Sequence, residues 1–199
     1  AYIAEPVQPK SHCFWESPAE KEKLKDAKDV LDSTEKFAFK EDWGEKLGGV
    51  YNPGIFILDL ETRNVRRLLV KFDDETLQEN ASLGQVTWAM AGTRLVFTAW
   101  SCIPRRLGIT YCTNRSSSIW SVLFTDQETE ATRLSPKTVV SSVCPRISPD
   151  GAIAVMAVTN NRDLHKCVYS LISVSIASGE CCYFDRNVVI SEGVNNVAP

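Results

Sequence analysis

One internal repeat constrains this chain more than any other feature. Trp88-Ala89-Met90-Ala91-Gly92-Thr93-Arg94-Leu95-Val96-Phe97 aligns with Ile147-Ser148-Pro149-Asp150-Gly151-Ala152-Ile153-Ala154-Val155-Met156, so that Gly92 falls on Gly151 and Val96 on Val155, 59 residues apart. Ser148-Pro149-Asp150-Gly151 has turn chemistry, because Pro presets φ and Gly accepts a positive φ. Each copy leads to a hairpin. Ile172-Ser173-Val174-Ser175-Ile176 alternates apolar and polar strictly, turns through Ala177-Ser178-Gly179-Glu180 and restarts at Cys181-Cys182-Tyr183-Phe184. Such alternation turns one face of a strand toward a core. Ile119 to Phe124 with Ala131 to Leu134, and Ile55 to Leu60 with Val65 to Leu69, follow the same design.

The unit is therefore strand, Gly turn, strand, loop, strand, polar turn, strand. Four antiparallel strands per repeat is the blade of a β-propeller. The expected fold is all-β, a single partial propeller over 1–199. It has about three four-stranded blades, near 1–72, 84–134 and 143–184, and a tail at 185–199. The repeat exceeds the roughly 40–50 residues of common propeller families. The excess lies in the loop Ser101 to Ser116. One short inserted helix is expected over about 18–31. Ser17-Pro18-Ala19-Glu20 forms a capping box there, and Leu24, Ala27 and Leu31 follow at helical spacing. Propellers typically close with about 4–8 blades, so three leave open strand edges and predict self-association as a homo-oligomer.

Composition narrows the function classes. Hydrophobic residues make up 44%, enough for a packed core. Twenty-two basic residues against 25 acidic, mixed along the chain, form no stripe for nucleic acid or an anionic membrane. The longest apolar runs, Ile55 to Leu58 and Ile153 to Val158, fall far short of the ~20 residues that span a bilayer. The start, Ala1 to Pro6, has no initiator Met, basic n-region or apolar h-region, and the end trails off from Val194 to Pro199. The expectation is a stretch of a longer, cytoplasmic chain. Cys13, Cys102, Cys112, Cys144, Cys167, Cys181 and Cys182 are odd in number and without Cys-x-x-Cys spacing. They read as free thiols of a reducing compartment. Asn80-Ala81-Ser82 and Asn114-Arg115-Ser116 match the glycosylation pattern by chance.

The search for chemistry yields no centre. No glycine is followed by Ser two residues later, so there is no nucleophile elbow. Gly44 and Gly49 have phosphate-loop spacing, but Val50 stands where Lys is needed. His12 and His165 have no second imidazole or thiol at ligand spacing. Asp73-Asp74-Glu75 reads as a solvated acidic loop rather than an acid/base pair. Arg105-Arg106 reads either as a carboxylate clamp or as a loop anchor. No catalytic, cofactor-binding or metal residue is assigned, and no cofactor is expected.

The rarest words decorate the repeats: Phe39 to Glu45, Gly84-Gln85 with Trp88-Ala89, Arg106 to Ile109 with Cys112 to Arg115, and Pro145 to Asp150. In this order they resemble the propeller of acylaminoacyl peptidase (acylpeptide hydrolase), of the prolyl oligopeptidase superfamily, over about Tyr2 to Phe184. There are departures. Met90-Ala91-Gly92 stands where that family tends to have Pro-Gly-Asp, and only Trp100 remains of an aromatic, His-containing stretch before Arg106. The resemblance implies a serine hydrolase that removes N-acylated amino acids from blocked peptides. Its Ser-His-Asp triad sits in an α/β-hydrolase domain following the propeller. The propeller's implied partners are that domain and short N-acylated peptides, whose access it gates. The alternative is a non-catalytic propeller used as a scaffold module, or a truncated gene product.

Overall fold

The computed structural model describes residues 1–6, 10–11, 30–31, 39, 41–44, 46–106, 108, 110, 115–125, 128–160 and 168–184. The chain is built mostly of antiparallel sheets. Strands β1 (Tyr2–Ala4), β2 (Lys10–Ser11), β3 (Val30–Leu31), β4 (Gly54–Leu58) and β5 (Val65–Arg67) come first. The first sheet has the order β1-β4-β5 and is three-stranded among the described residues. Strands β2 and β3 pair in parallel by themselves. The helix expected over about 18–31 otherwise lies outside the described residues; its last two positions, Val30 and Leu31, are strand. The 185–199 tail also lies outside them.

The second sheet consists of β7 (Ala81–Ala89), β8 (Arg94–Ser101), β9 (Ser117–Leu123) and β11 (Thr132–Arg133), in the order β11-β9-β8-β7. The third is β12 (Ser141–Ile147), β13 (Ile153–Thr159), β14 (Ser170–Ser175) and β15 (Cys181–Tyr183), paired consecutively. Between the first two, β6 (Val70–Lys71) and β10 (Thr129–Glu130) form a short parallel bridge. Among the described residues one α-helix, α1 (Glu75–Asn80), precedes β7.

The middle sheet is buried on both faces, which is why β8 reads as an apolar run from Leu95 to Trp100, interrupted by the buried Thr98, rather than as an alternation. Leu95, Phe97, Ala99, Trp120 and Val122 pack toward Ile55, Ile57, Leu68 and Phe72 of the first sheet's side. Phe72 meets Trp120 edge-on at 5.0 Å between ring centroids. Val96 and Ile119 point the other way, into a second core with Ala154, Met156, Val158, Ile172 and Val174. Strand β14 keeps its alternation, with Ile172 and Val174 inside and Ser173 and Ser175 at the other face.

The 59-residue spacing returns as geometry at two points. A bulge breaks β7 between Gly84 and Thr87, and another breaks β12 between Val143 and Arg146. Gln85 and Cys144, at φ 51° and 56°, occupy the same place in each. Pro145, without an N–H, is tolerated in the second bulge for that reason. The turns after these strands are also paired, and Met90 N–H donates to the Gly151 carbonyl at 3.1 Å. Met90, Ala91 and Gly92 are all left-handed, at φ 50°, 52° and 85°. In the other turn only Gly151, φ 77°, is so, because Pro149 cannot take a positive φ.

A Cβ on Gly151 would lie 2.9 Å from the Met90 nitrogen, a backbone atom that cannot step aside. Gly151→Ala is expected to cost about 2 kcal/mol, since clash and left-handed strain add. Ala91→Gly should stabilise by about 1 kcal/mol by removing left-handed strain. Urea unfolding of both variants checks this; midpoints equal to that of the parent would refute the strained-turn account.

Candidate functional site

The long connections gather at the end of the sheets that carries Ser101 and Ser117. A loop over 42–50 folds around its own carboxylate. Asp42 Oδ1 accepts from Gly44 N–H at 2.9 Å and Oδ2 from Gly49 N–H at 2.7 Å. These two backbone bonds, Gly49 first, hold the Asp42 carboxyl below its ordinary value. The glycines at phosphate-loop spacing are therefore occupied by an internal anion. Trp43, between Asp42 and Gly44, is buried in the interior. Its Nε1–H donates to Ser82 Oγ at 2.9 Å, and its ring packs in a cluster with Trp100, Cys102, Val143, Ala157 and Tyr169.

A second fastener lies beside it. The Glu5 carboxylate accepts from Tyr51 N–H at 2.7 Å and Asn52 N–H at 3.1 Å. Arg106 reaches the same residues from the far loop. Its Nε donates to the Tyr51 carbonyl at 2.6 Å, its Nη2 to Asn52 Oδ1, and its Nη1 approaches Glu41 Oε2 at 3.4 Å. Only 15% of the Arg106 side chain is exposed. Its fork is thus committed to protein acceptors, and the anchor reading holds over the carboxylate clamp. Arg105 is exposed.

The remaining sequence candidates disperse. His12, His165, Cys13, Cys112 and Cys167 lie outside the described residues. Cys102 is a buried free thiol whose pKa is raised chiefly by burial. Cys144 is half-buried and Cys182 exposed. Among the described residues no three His, Cys, Asp or Glu side chains converge on a metal position, and no helix is long and apolar enough to cross a membrane. Ser82 of Asn80-Ala81-Ser82 is fully buried.

The acidic loop at Asp73-Asp74-Glu75 needs correction. Asp74 is the N-cap of α1, accepting from Thr76 N–H at 3.0 Å and from the Thr76 hydroxyl at 2.6 Å. Six residues with one buried side chain, Leu77, are too few to show a helical period. The Asp74 cap was the available signal. Two clefts flank α1. One, about 380 Å³, is lined by Asp74, Ser117, Arg133 and Lys137. The other, about 200 Å³, lies at the seam of the first two sheets.

The family described as acylamino-acid-releasing enzyme, N-terminal domain, matches residues 1–180. The chain belongs to this family. It is 36% identical to the mouse acylamino-acid-releasing enzyme over 157 residues, which is 75% of this chain and 20% of the mouse protein. The human enzyme of that name is 34% identical over the same length. The rice acylamino-acid-releasing enzyme 1 is 33% identical over 176 residues, 78% of this chain and 22% of the rice protein. The chain thus corresponds to about a fifth of the length of these relatives.

Within this family member, the words that carried the resemblance are fasteners. Asp42-Trp43-Gly44 is the plugged loop, Gly84-Gln85 the bulge, Arg106 the strap anchor. Ser148-Pro149-Asp150 is a turn in which Asp150 accepts from Ala152 N–H and the Ser148 hydroxyl.

Two outcomes follow. Arg106→Ala strands the Tyr51 carbonyl and Asn52 and should cost about 2–3 kcal/mol, with Arg106→Lys failing to restore it because an ammonium has no fork. Thermal unfolding reads this; a loss below experimental error would show the strap to be idle. Asp42 has a depressed pKa when folded. Its contribution is therefore full above the ordinary value of 3.8 and is lost as pH falls through the lower folded value. Asp42→Asn should be less stable than the parent at neutral pH, and the gap should close on acidification; a pH-independent gap would count against it.

Proposed function

We propose that this chain is a propeller segment of an acylaminoacyl-peptidase-like serine hydrolase. In this reading it gates the access of short N-acylated peptides to an α/β-hydrolase domain of the same parent protein. The observation that carries the reading is the family match over residues 1–180. The propeller geometry is supported by the 59-residue repeat of bulge and turn and by sheets stacked face to face with the middle one covered on both sides. The first sheet then supplies part of a blade, and the second and third sheets supply one each. A cytoplasmic setting agrees with the four described cysteines being free thiols.

The chemistry is that of acyl transfer. A serine hydroxyl attacks the scissile carbonyl, a histidine takes its proton, and an aspartate orients the histidine. This segment contributes none of the three. Its part is to exclude large folded substrates, which requires the connections at the loop end to be stiff. The Asp42 plug, the buried Trp43 and the Arg106 strap supply that stiffness.

The test has two arms. The purified chain should neither hydrolyse an acetyl-alanine chromogenic substrate nor react with a fluorophosphonate probe. Labelling above background would place a nucleophile in this segment and sink the reading. In the whole parent protein, Arg106→Ala should raise kcat/KM for long N-acetylated peptides by about tenfold relative to short ones, with the short substrate unaffected. An unchanged ratio would remove the gating role.

A further inference from the structure

Among the described residues β15 is the outer edge of the third sheet. Its pairing with β14 runs Ile172↔Tyr183, Ser173↔Cys182 and Val174↔Cys181. At either end of that ladder, Phe184 N–H donates to the Leu171 carbonyl at 3.0 Å and Ser175 N–H to the Glu180 carbonyl at 2.9 Å. In an antiparallel ladder such hydrogen-bonded pairs recur at every second residue. Residues 180, 182 and 184 therefore turn their backbone groups inward to β14, while Cys181 and Tyr183 turn theirs outward. The free edge thus presents the N–H and C=O of both, and no hydrogen bond reaches them among the described residues.

This edge lacks the usual guards. Natural edge strands are blunted by charges, Pro or a bulge. Cys181-Cys182-Tyr183-Phe184 has no charge and no Pro, and its register with β14 is unbroken. Cys182 is exposed, and Tyr183 and Phe184 are 54% and 47% exposed. Cys181 instead packs half-buried against the second core.

We propose that β15 pairs antiparallel with β15 of a second copy of this chain, about a two-fold axis at Cys182. The outward groups fix the register. Centred there, Cys181 of each copy stands opposite Tyr183 of the other, and every outward N–H and C=O of both strands finds a partner. The edge complements itself, which is the isologous contact a two-fold dimer needs, and main-chain bonds at a sheet edge supply the attraction. Cys182 then meets its own copy at a non-hydrogen-bonded position. Cα atoms there stand about 4.5 Å apart, inside the roughly 4.4–6.8 Å that a disulfide spans. The ladder is short, so the reduced dimer is weak and oxidation locks it. With diamide as oxidant, the two Cys182 thiols give up two protons and two electrons, the diamide becomes its hydrazine, and one S–S bond forms. The inference concerns self-association and does not rest on the gating role.

Diamide treatment of the purified chain, read on a non-reducing gel, tests it. A covalent dimer is expected that reductant dissolves, and peptide mapping should find Cys182 joined to Cys182. Cys182→Ser should lose this dimer, and Cys181→Ser should keep it. Tyr183→Pro separates edge pairing from chance collision of exposed thiols. It keeps all seven cysteines and deletes an outward N–H, leaving the bonds to β14 in place. Its dimer should form about tenfold more slowly or worse, because pairing raises the effective concentration of the two thiols. Far-ultraviolet circular dichroism checks that the variants keep their sheet content. Sedimentation equilibrium of the reduced parent supplies a reading that needs no variant: apparent mass should rise with concentration toward the dimer. No covalent dimer, a dimer that Cys182→Ser retains, a folded Tyr183→Pro that crosslinks as fast as the parent, or a reduced parent that stays monomeric at every concentration overturns the proposal.

Discussion

The carboxamide of Gln85 holds the second and third sheets in register. A bulge in β12 takes the Cys144 N–H out of the strand ladder, and a buried amide without a partner costs about 1–3 kcal/mol. Gln85 Oε1 accepts that N–H at 2.7 Å and also the Thr98 hydroxyl at 2.7 Å, while its Nε2 faces Cys144 Sγ at 3.7 Å. Thr98 is itself fully buried in β8. One side chain therefore ties the bulge of its own sheet, the centre of that sheet and the bulge of the next. A shift of β7 by one residue would break all three contacts and also turn the strand's apolar set outward.

Around that tie the two cores follow from which faces are covered. Apolar side chains fill both seams, while polar fasteners sit at the sheet ends: Asp42, Glu5 and Arg106 at one, the Met90–Gly151 pair at the other. This division is physical. Apolar contact is non-directional and sets how close the sheets lie, whereas hydrogen bonds with fixed geometry set which way the connections run. The serines buried between the second and third sheets belong to the same scheme. Ser117 Oγ lies 2.8 Å from Ser141 Oγ and donates to the Ser142 carbonyl at 2.9 Å, so these groups cross the seam paired, while the buried Ser142 hydroxyl has no partner among the described residues.

The family membership gives these fasteners their context. A segment whose most distinctive residues lock loops and bulges is built to hold a shape. Arg106 illustrates the point. A guanidinium with three protein acceptors has little left for a substrate, yet the loop it pins borders the end of the sheets where the long connections collect. Arg67 is the contrast, a cation that rests against a glycine and has no acceptor among the described residues.

Period-two alternation, turn residues and the repeat were enough to read the antiparallel strands, because those signals are local and each strand shows them within its own residues. The hairpins at Ile55, Ile119 and Ile172 and the glycine turns are where that reading placed them. The six-residue helix after Asp74 escaped because one buried leucine makes no pattern. The role of Arg106 stayed open between clamp and anchor, since its acceptors lie 54, 55 and 65 residues away in sequence. The meaning of Gln85 and the plugging of Gly44 and Gly49 by Asp42 were likewise invisible. By itself, then, the sequence determined the main hairpins, where they turn and which family they belong to. Only the tertiary structure decided which polar groups find partners, because a hydrogen bond between distant residues exists only once the sheets have stacked.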